Sequence, residues 1–389
     1  MPMKALTGNE AMAEAMRQIN PDVVAAYPIT PATEVVQLFA SFVADGLVDT
    51  EFVAVESEHS AMSACIGASA AGGRVITSTS SQGLALMHEV LYIAAALRLP
   101  IVICEVNRSL SAPINIHCDH SDTMGSRESG WMHIFAEESQ EAYDSIIQAM
   151  KIAEHVYLPM MVSTDGFIIS HCMQRIDMLR DKEVKDFIGK YKPHHSLLLT
   201  DKPYTVGPLD LQDYYFEHKR QQIETMMNAA PVIKKVGREF GEKFGRYYGL
   251  FEEYKMRDAD NVVIAAGSAA GTAKAAVEEA REKGMKAGLL RIRVMRPFPH
   301  KEIANALKDK KIISVLDRSD SMSTMGGPIF VEMKSALYDI KNHLPMCNYI
   351  YGLGGREIDV EDIIRVFKRG EVYKEKGIEK KIDFVGLRE

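Results

Sequence analysis

The chain has 389 residues, 47% of them hydrophobic and 25% charged, and its 46 Lys and Arg against 53 Asp and Glu give a net charge of −7. This composition is typical of a globular protein with a large core, and two domains are expected at about 100–200 residues per domain. The mild acidity argues against nucleic-acid binding, which requires a clustered basic surface.

The hydrophobic runs are too short for a membrane span, which needs about 18 uncharged apolar residues. The longest run, from Val90 to Val106, is interrupted by Arg98 and Glu105. The N-terminal segment carries Lys4 and has no apolar stretch of the kind found in secretory signals. We therefore expect a cytoplasmic protein that does not bind membranes.

The cysteines are few and scattered. No two form a Cys-x-x-Cys pair, and a structural zinc site or an iron–sulfur cluster within one chain needs clustered thiolates. The sequence therefore predicts no metal site held by cysteine. The five are Cys65, Cys104, Cys118, Cys172 and Cys347.

In the first part of the chain, short apolar runs alternate with longer amphipathic stretches. The predicted strands are Asp22–Ala26, Glu51–Val55, Arg74–Thr77, Pro100–Val106 and Pro159–Ser163. The predicted helices are Glu10–Ile19, Ala32–Ala44, Ser57–Ala71, Gly83–Leu97 and Ser139–Glu154. Continuous apolar strands that alternate with helices indicate an α/β fold with a doubly wound parallel sheet over residues 1–170.

The alternation stops at 175–258, which is charged and contains Lys-Pro and Gly-Pro dipeptides. We predict an irregular excursion there, followed by one or two linking helices. Strand-like runs resume at Asn261–Ala266, Lys286–Val294, Lys311–Leu316 and Met346–Tyr351. The predicted domains are therefore 1–258, including the excursion, and a smaller α/β domain at 259–389.

Simple nucleotide-binding motifs are absent. Gly267–Gly271 and Gly352–Arg356 are glycine-rich turns, but neither has Gly-x-Gly-x-x-Gly spacing, and no P-loop sequence exists. Both turns are compatible with phosphate binding, although tight structural turns are the commoner meaning.

Four polar segments follow the first four predicted strands, and in open α/β sheets ligands bind beyond the carboxyl ends of the strands. They are 27–31 (YPITP), 56–59 (ESEH), 79–83 (TSSQG) and 107–108 (NR). The segment 79–83 is either a helix-capping turn or a ligand loop.

Three residues in these segments are candidates for chemistry. Glu58 is either a first-turn carboxylate favoured by the helix dipole or an apolar-cleft carboxylate that shares a proton with a heterocycle. Arg108 either pairs with Asp119 or Asp122, or binds a substrate carboxylate through its planar fork. Thr30 is either a helix N-cap or a site residue in a rigid turn.

These segments resemble the α subunit of pyruvate:ferredoxin oxidoreductase, of the 2-oxoacid:ferredoxin oxidoreductase family. The resemblance lies in YPITP at 27–31, VESEHSA at 55–61, TSSQGLALM at 79–87 and NRSLSAPINIHCDHSD at 107–122. RPFP at 296–299 and GLGGRE at 352–357 resemble the second domain of that family. The pieces occur in the right order over nearly the whole chain.

The resemblance implies a pyrimidine-binding domain for thiamine diphosphate, followed by a transketolase C-terminal-like domain. It implies oxidative decarboxylation of pyruvate to acetyl-CoA and CO2 with reversible reduction of ferredoxin, in anaerobic metabolism. Tyr27, Pro28, Thr30 and Glu58 are then the cofactor-binding residues, with Glu58 on the pyrimidine ring nitrogen. Thr30 and Arg108 are expected to receive the substrate carboxylate and keto oxygen, so that Glu58, Arg108 and Thr30 form the catalytic set.

The resemblance also implies what other chains supply. Thiamine-dependent proteins hold the diphosphate through magnesium with a Gly-Asp-Gly segment, whereas Asp45-Gly46 and Asp165-Gly166 here lack the first glycine. We therefore expect a β subunit to share the thiamine diphosphate and hold Mg²⁺, and γ and ferredoxin-like δ subunits, or fused equivalents, to carry [4Fe-4S] clusters. Coenzyme A is the expected cosubstrate and ferredoxin the redox partner.

Several alternatives stay open. The substrate could be a branched-chain 2-oxoacid or 2-oxoglutarate, although the small Ser111 and Ala112 near Arg108 favour pyruvate. The chain could also be a non-catalytic scaffold of this fold. The group Asp119, His120 and Asp122 is expected to order its loop and not to bind metal, and the turn at 354–356 is either structural or in contact with a coenzyme A phosphate. The second domain is expected to pack against partners.

Overall fold

The computed structural model describes residues 3–340 and 343–388. The strands are β1 (Met3–Leu6), β2 (Val23–Ala26), β3 (Glu51–Ala54), β4 (Val75–Thr79), β5 (Ile101–Asn107), β6 (Met132–Phe135), β7 (Met160–Asp165), β8 (Gln174–Asp177), β9 (Phe251–Tyr254), β10 (Asn261–Ala266), β11 (Ala287–Ile292), β12 (Val294–Arg296), β13 (Ile312–Asp317), β14 (Met346–Tyr351) and β15 (Ile382–Val385). No described helix has the length and apolar character needed to cross a bilayer.

The helices alternate with these strands. They are α1 (Gly8–Ile19), α2 (Thr33–Ala44), α3 (Glu58–Ala70), α4 (Ser81–Leu86), α5 (His88–Ala96), α6 (Ser121–Ser126), α7 (Ser139–Val156), α8 (Asp181–Ile188), α9 (Tyr215–Met227), α10 (Ala229–Phe244), α11 (Ala269–Glu282), α12 (His300–Leu307), α13 (Pro328–Leu337) and α14 (Val360–Lys376). The single helix predicted over Gly83–Leu97 is wrong, because α4 ends at Leu86 and α5 begins at His88.

The first sheet has seven strands in the order β12-β6-β7-β5-β4-β2-β3. All pairs are parallel except β12 with β6. Apolar side chains of α1, α2 and α7 cover one face, and those of α3, α4 and α5 cover the other. Strands β4, β5 and β7 are buried along their whole length, which explains why apolar residues follow one another at their starts. The predicted doubly wound fold is confirmed.

The second sheet has six strands in the order β15-β14-β13-β10-β11-β9, parallel except for β9. Helices α11 and α14 pack on one face, and α12 and α13 pack on the other. Strand β9 lies before residue 258 yet pairs with β11 of this sheet. The domain boundary between residues 258 and 259 stays a prediction.

The strand predicted over Lys286–Val294 is wrong at its end, because two strands of different sheets meet there. Ala287–Ile292 belongs to the second sheet, whereas Val294–Arg296 pairs antiparallel with β6 of the first sheet. Arg293, which is 1% exposed, lies between the two strands. Its Nε donates to Glu141 of α7 at 2.8 Å. This buried ion pair fixes the chain where it passes from one sheet to the other.

The predicted excursion, 175–258, contains more regular structure than its composition indicates. Strand β8 pairs antiparallel with β1 in a two-stranded sheet. The expected linking helices are α9 and α10. Ile233, Val236 and Phe240 of α10 belong to the core cluster that α7 shares, so α10 is part of the first domain's packing.

Candidate active site

The carboxyl ends of β2, β3, β4 and β5 bring the predicted site segments to one edge of the first sheet. The contacts run from segment to segment. Arg108 Nη1, after β5, donates to the backbone oxygen of Thr30, after β2, at 3.0 Å. The backbone N–H groups of Arg108 and Ser81 both donate to Asp122 Oδ2, at 2.9 and 3.1 Å. Ser81 begins the helix that carries Gly83, and Gly83 contacts Glu58.

Glu58 is the first residue of α3, which begins after β3. Ser57 caps the helix, since its hydroxyl accepts from the backbone N–H of Ser60 at 3.2 Å. The Glu58 residue is only 7% exposed, and among the described residues no donor bonds to its carboxylate. Buried carboxylates normally have a hydrogen-bond partner, so this one is free to bond a ligand N–H.

Gly83 allows the backbone of α4 to approach this carboxylate closely. A Cβ placed at residue 83 would lie 2.8 Å from Oε1 and Cγ of Glu58 and would overlap the hydroxyl of Thr79. The carboxylate of Glu58 and the hydroxyl of Thr79 therefore flank one small space. Thr79 Oγ1 and Ser80 Oγ are buried and have no partner among the described residues.

Arg108 is 8% exposed and is held by backbone carbonyls, with Nη1 on Thr30 and Nε on Asn115 at 3.0 Å each. Within the part of the chain that the structure describes, no carboxylate ion-pairs with its guanidinium, so the alternative of an ion pair with Asp119 or Asp122 is wrong. The side chain is fixed, while its remaining N–H groups are free to bind an anion.

Tyr27, Pro28 and Thr30 form an exposed rim beside Arg108. The N-cap position of α2 is Ala32, and no side chain caps this helix. The N-cap alternative for Thr30 is therefore wrong. The backbone oxygen of Thr30 itself orients Arg108.

The loop that follows Arg108 is held by the second domain. Asn115 Nδ2 donates to the Gly354 oxygen at 3.0 Å, and the Gly354 N–H donates to Asp119 Oδ2 at 3.2 Å. Gly354 and Gly355 have φ of 63° and 82°, and a Cβ on Gly355 would overlap His117. The glycine-rich turn therefore packs tightly on this loop. This close packing gives Gly354 and Gly355 a structural role.

The side chains of the possible metal group 119–122 form hydrogen bonds with other residues of this chain. Asp119 accepts from Ser109 Oγ at 2.7 Å, and His120 Nε2 bonds Asp165 at 2.8 Å. Asp122 accepts from backbone and side-chain N–H groups. These contacts order the loop, and the absence of a metal at this group stays a prediction.

A different combination, Cys118, His120 and Asp165, has ligand atoms within 4.8 Å of one another. Asp165 also accepts from Arg318 of the second domain at 2.9 Å, and a guanidinium so close repels a metal cation. Burial raises the pKa of the Cys118 thiol, which disfavours the metal-binding thiolate. Burial raises the pKa of Asp165, but His120 and Arg318 outweigh it and hold that pKa below its usual range. The cluster is best described as a buried ion-pair network between domains.

Sequence reasoning missed several residues of the site. Thr79 and Gly83 lie within a predicted segment, but their contact with Glu58 required the fold. Glu105 is buried beside Asp122, and its only sequence signal is a charge inside an apolar strand. A cavity of about 800 Å³, lined by residues such as Tyr157, His195 and Tyr204, lies instead at the amino ends of β4, β5 and β7.

Comparisons with known proteins show the family to which the chain belongs. The sequence profile described as pyruvate flavodoxin/ferredoxin oxidoreductase, thiamine diphosphate-binding, matches residues 14–238. The profile of pyruvate:ferredoxin oxidoreductase core domain II matches residues 259–363. The chain is 55% identical to pyruvate synthase subunit PorA of Thermotoga maritima, over 94% of this chain and 93% of that protein. It is 45% identical to ketoisovalerate oxidoreductase subunit VorA of Pyrococcus abyssi, over 92% and 91% of the two chains.

Two solved structures share the fold. A 2-oxoglutarate:ferredoxin oxidoreductase from Magnetococcus marinus, with 2-oxoglutarate, coenzyme A and succinyl-CoA bound, has a TM-score of 0.74 at 18% identity. The match covers 95% of this chain and 65% of that one. A split-gene transketolase in an inactive β4 tetramer has a TM-score of 0.57 at 11% identity and covers 95% and 100% of the two chains. The full-length relatives and the two profiles show that this chain belongs to the pyruvate flavodoxin/ferredoxin oxidoreductase family.

Proposed function

We propose that this chain is the α subunit of a multi-subunit enzyme that oxidatively decarboxylates pyruvate to acetyl-CoA and CO2 with reversible reduction of ferredoxin. The observation that carries the proposal is the joining of two groups at one sheet edge. These are the buried, unpartnered carboxylate of Glu58 and the pre-oriented guanidinium of Arg108, linked through Asp122 and Ser81. Relatives that match nearly the whole chain are named pyruvate synthase subunits.

The residues present fit the aminopyrimidine half of thiamine diphosphate. Thr79 and Ser80 offer buried hydroxyls with no partner in the described chain, and Glu58 offers a carboxylate to which no described residue donates. Gly83 leaves space between Glu58 and Thr79. When bound, the cofactor supplies the nucleophilic carbon and the electron sink for decarboxylation of a 2-oxoacid. Glu58 would hold a proton at the pyrimidine ring nitrogen, and the rim residues Tyr27 and Pro28 would contact the ring.

Arg108 and Thr30 would bind the carboxylate and keto oxygen of the substrate. Two backbone carbonyls hold the guanidinium in place before the substrate arrives. An anion that binds its free N–H groups is therefore oriented without further loss of side-chain freedom. A branched-chain 2-oxoacid is the second candidate substrate, because the ketoisovalerate oxidoreductase subunit is 45% identical.

Other chains would complete the enzyme. Asp165-Gly166 is the nearest approach to a diphosphate–magnesium segment, but the Asp165 carboxylate is already bonded to His120, Ser268 and Arg318. We propose that a β subunit holds Mg²⁺ and the diphosphate, and that γ and ferredoxin-like δ subunits, or fused equivalents, carry the [4Fe-4S] clusters. Coenzyme A is the proposed acyl acceptor, and the proposed location is the cytoplasm.

The test is a substrate panel on the co-expressed complex. Acyl-CoA formation is measured with pyruvate, a branched-chain 2-oxoacid and 2-oxoglutarate, for the wild type and for Glu58→Gln. The expected result is highest activity with pyruvate and a loss of about hundredfold or more in the variant, as is usual when proton transfer is impaired. Glu56→Gln, an exposed neighbour, is the matched control. A Glu58→Gln complex with wild-type turnover would overturn the assignment, and turnover by the purified chain alone would overturn the shared site.

A further inference from the structure

A buried pair of carboxyl groups lies behind the loops that hold the substrate site. Glu105 on β5 is 0% exposed and lies within hydrogen-bonding reach of Asp122, which is 2% exposed. Among the described residues no N–H or O–H bonds to either oxygen of Glu105. The proposed catalytic steps use neither group, so their burial needs another explanation.

Asp122 has the opposite environment, because four N–H groups donate to it. The backbone N–H groups of Ser81, Arg108 and Thr123 lie at 3.1, 2.9 and 2.8 Å, and Asn107 Nδ2 lies at 2.9 Å. An ionised carboxylate accepts all of these bonds, whereas a protonated acid gives up part of its acceptor capacity. The surroundings of Asp122 therefore favour its charged form.

The two groups cannot both be charged at this depth. Burial and the neighbouring Asp122 charge raise the pKa of Glu105 well above its usual value. Burial also raises the pKa of Asp122, but its N–H donors and Glu105 act in the other direction. Because four N–H groups donate to Asp122, whereas the Ser81 N–H that lies near Glu105 already bonds Asp122, the arrangement favours the proton on Glu105.

Asp122 joins the two segments on which the site depends. Ser81, two residues before Gly83, has a φ of 48°, a left-handed conformation that is strained for serine. Its N–H is held by Asp122, and its hydroxyl donates to the Ser109 oxygen at 2.7 Å. The same carboxylate holds the N–H of Arg108. A change at Asp122 would therefore move both the Glu58 side and the Arg108 side of the site.

We propose that Glu105 is a positioning residue for the 2-oxoacid site. Its neutral carboxyl donates a hydrogen bond to Asp122, which stays anionic and holds Ser81 and Arg108 in their active arrangement. The inference rests on the proposed function, because it assumes that the residues held by Asp122 bind a 2-oxoacid. Glu105 itself touches neither substrate nor cofactor.

The test compares two neutral replacements in the intact complex. Glu105→Gln keeps a donor of similar shape, whereas Glu105→Leu keeps the volume but cannot donate. We expect Gln to leave KM for the 2-oxoacid within about threefold of wild type and Leu to raise it about tenfold or more, because small misplacements of binding groups cost this much. Thiamine diphosphate affinity should change little in both, and Glu361→Gln, exposed in the second domain, is the control.

An infrared difference spectrum between wild type and Glu105→Gln provides a second readout that needs no substrate. It should contain the C=O stretch of a protonated carboxylic acid at neutral pH. The absence of this band, or equal KM values for the Gln and Leu variants, would overturn the proposal. If the Leu variant does not assemble, Glu105→Met replaces it in the same comparison. A wild-type complex that shows the band but turns over no 2-oxoacid would refute the proposed function and leave the carboxyl pair standing.

Discussion

The contact between Gly83 and Glu58 gives a sharp prediction for Gly83→Ala. The new methyl group would lie 2.8 Å from Glu58 Oε1 and would overlap the hydroxyl of Thr79. Atoms this close must separate, so the carboxylate and the hydroxyl are pushed apart. The predicted cofactor contact of Glu58 is therefore altered without any change in its chemistry.

The effect on stability should be small. Overpacking a buried site typically costs about 1–3 kcal/mol, while replacing a helical Gly by Ala returns about 0.5–1 kcal/mol. Gly83 lies within α4, so the net loss in the free energy of unfolding should be about 0–2.5 kcal/mol. The effect on activity should be larger, because a shift of about 1 Å in a catalytic group can cost about hundredfold in rate.

The matched control is Gly67→Ala in α3, the helix that begins with Glu58. A Cβ at Gly67 has nothing within 4 Å, so this variant should gain about 0.5–1 kcal/mol. Urea unfolding measures the stability of both chains, and acetyl-CoA formation and thiamine diphosphate binding measure the function of both complexes. A Gly83→Ala complex that binds cofactor and turns over pyruvate like wild type would refute the close approach of Glu58 to this turn.

Three further predictions test other parts of the structure. Asp165→Asn leaves Arg318 buried without a charged partner. The free energy of unfolding, measured with urea, should fall by about 3 kcal/mol. An unchanged urea midpoint would contradict a buried ion pair. Burial lowers the pKa of His133 to about 3, so the stability that its neutral form contributes is present above about pH 6.5 and is lost as the pH falls towards 3. His133→Gln should accordingly make the free energy of unfolding fall less steeply with acid over that range, by about 1.4 kcal/mol per pH unit at most, and identical slopes would refute this. Arg108→Lys should raise KM for pyruvate about tenfold or more with a smaller change in kcat. A single ammonium nitrogen cannot reproduce the planar fork, whose separate nitrogens bond Asn115 and Thr30 and leave N–H groups for the substrate carboxylate. Steady-state kinetics measures both constants.

Much of the fold could be predicted because the central strands are buried on both faces. Apolar residues open each of these strands, and strands alternate with helices from α1 to β7. The break between β11 and β12 could not be predicted, since the apolar pattern continues from Ile292 to Val294. The structure shows that the chain changes sheets there, because β12 pairs with β6 of the first sheet, and Arg293 bonds Glu141 of α7 at that point.

The position of the site could also be predicted, because ligands of such sheets bind at the carboxyl ends of the strands. The roles within it could not all be predicted. Arg108 looked equally suited to an ion pair with Asp122, and only the structure shows that its backbone N–H, not its guanidinium, reaches that carboxylate. Which donors surround a carboxylate depends on loops distant in sequence, such as the turn at Ser81.

The second domain takes part in this arrangement although it carries none of the predicted site residues. Gly354 bonds Asn115 and Asp119 in the loop that follows Arg108, and Arg318 bonds Asp165 at the end of β7. The carbonyl of Asn115 in turn accepts from Arg108 Nε. The orientation of the guanidinium is therefore set from both sides, by the first sheet through Thr30 and by the second domain through the loop. This accounts for the glycine-rich turn better than contact with a phosphate, because the N–H and carbonyl groups of Gly354 are already bonded to that loop.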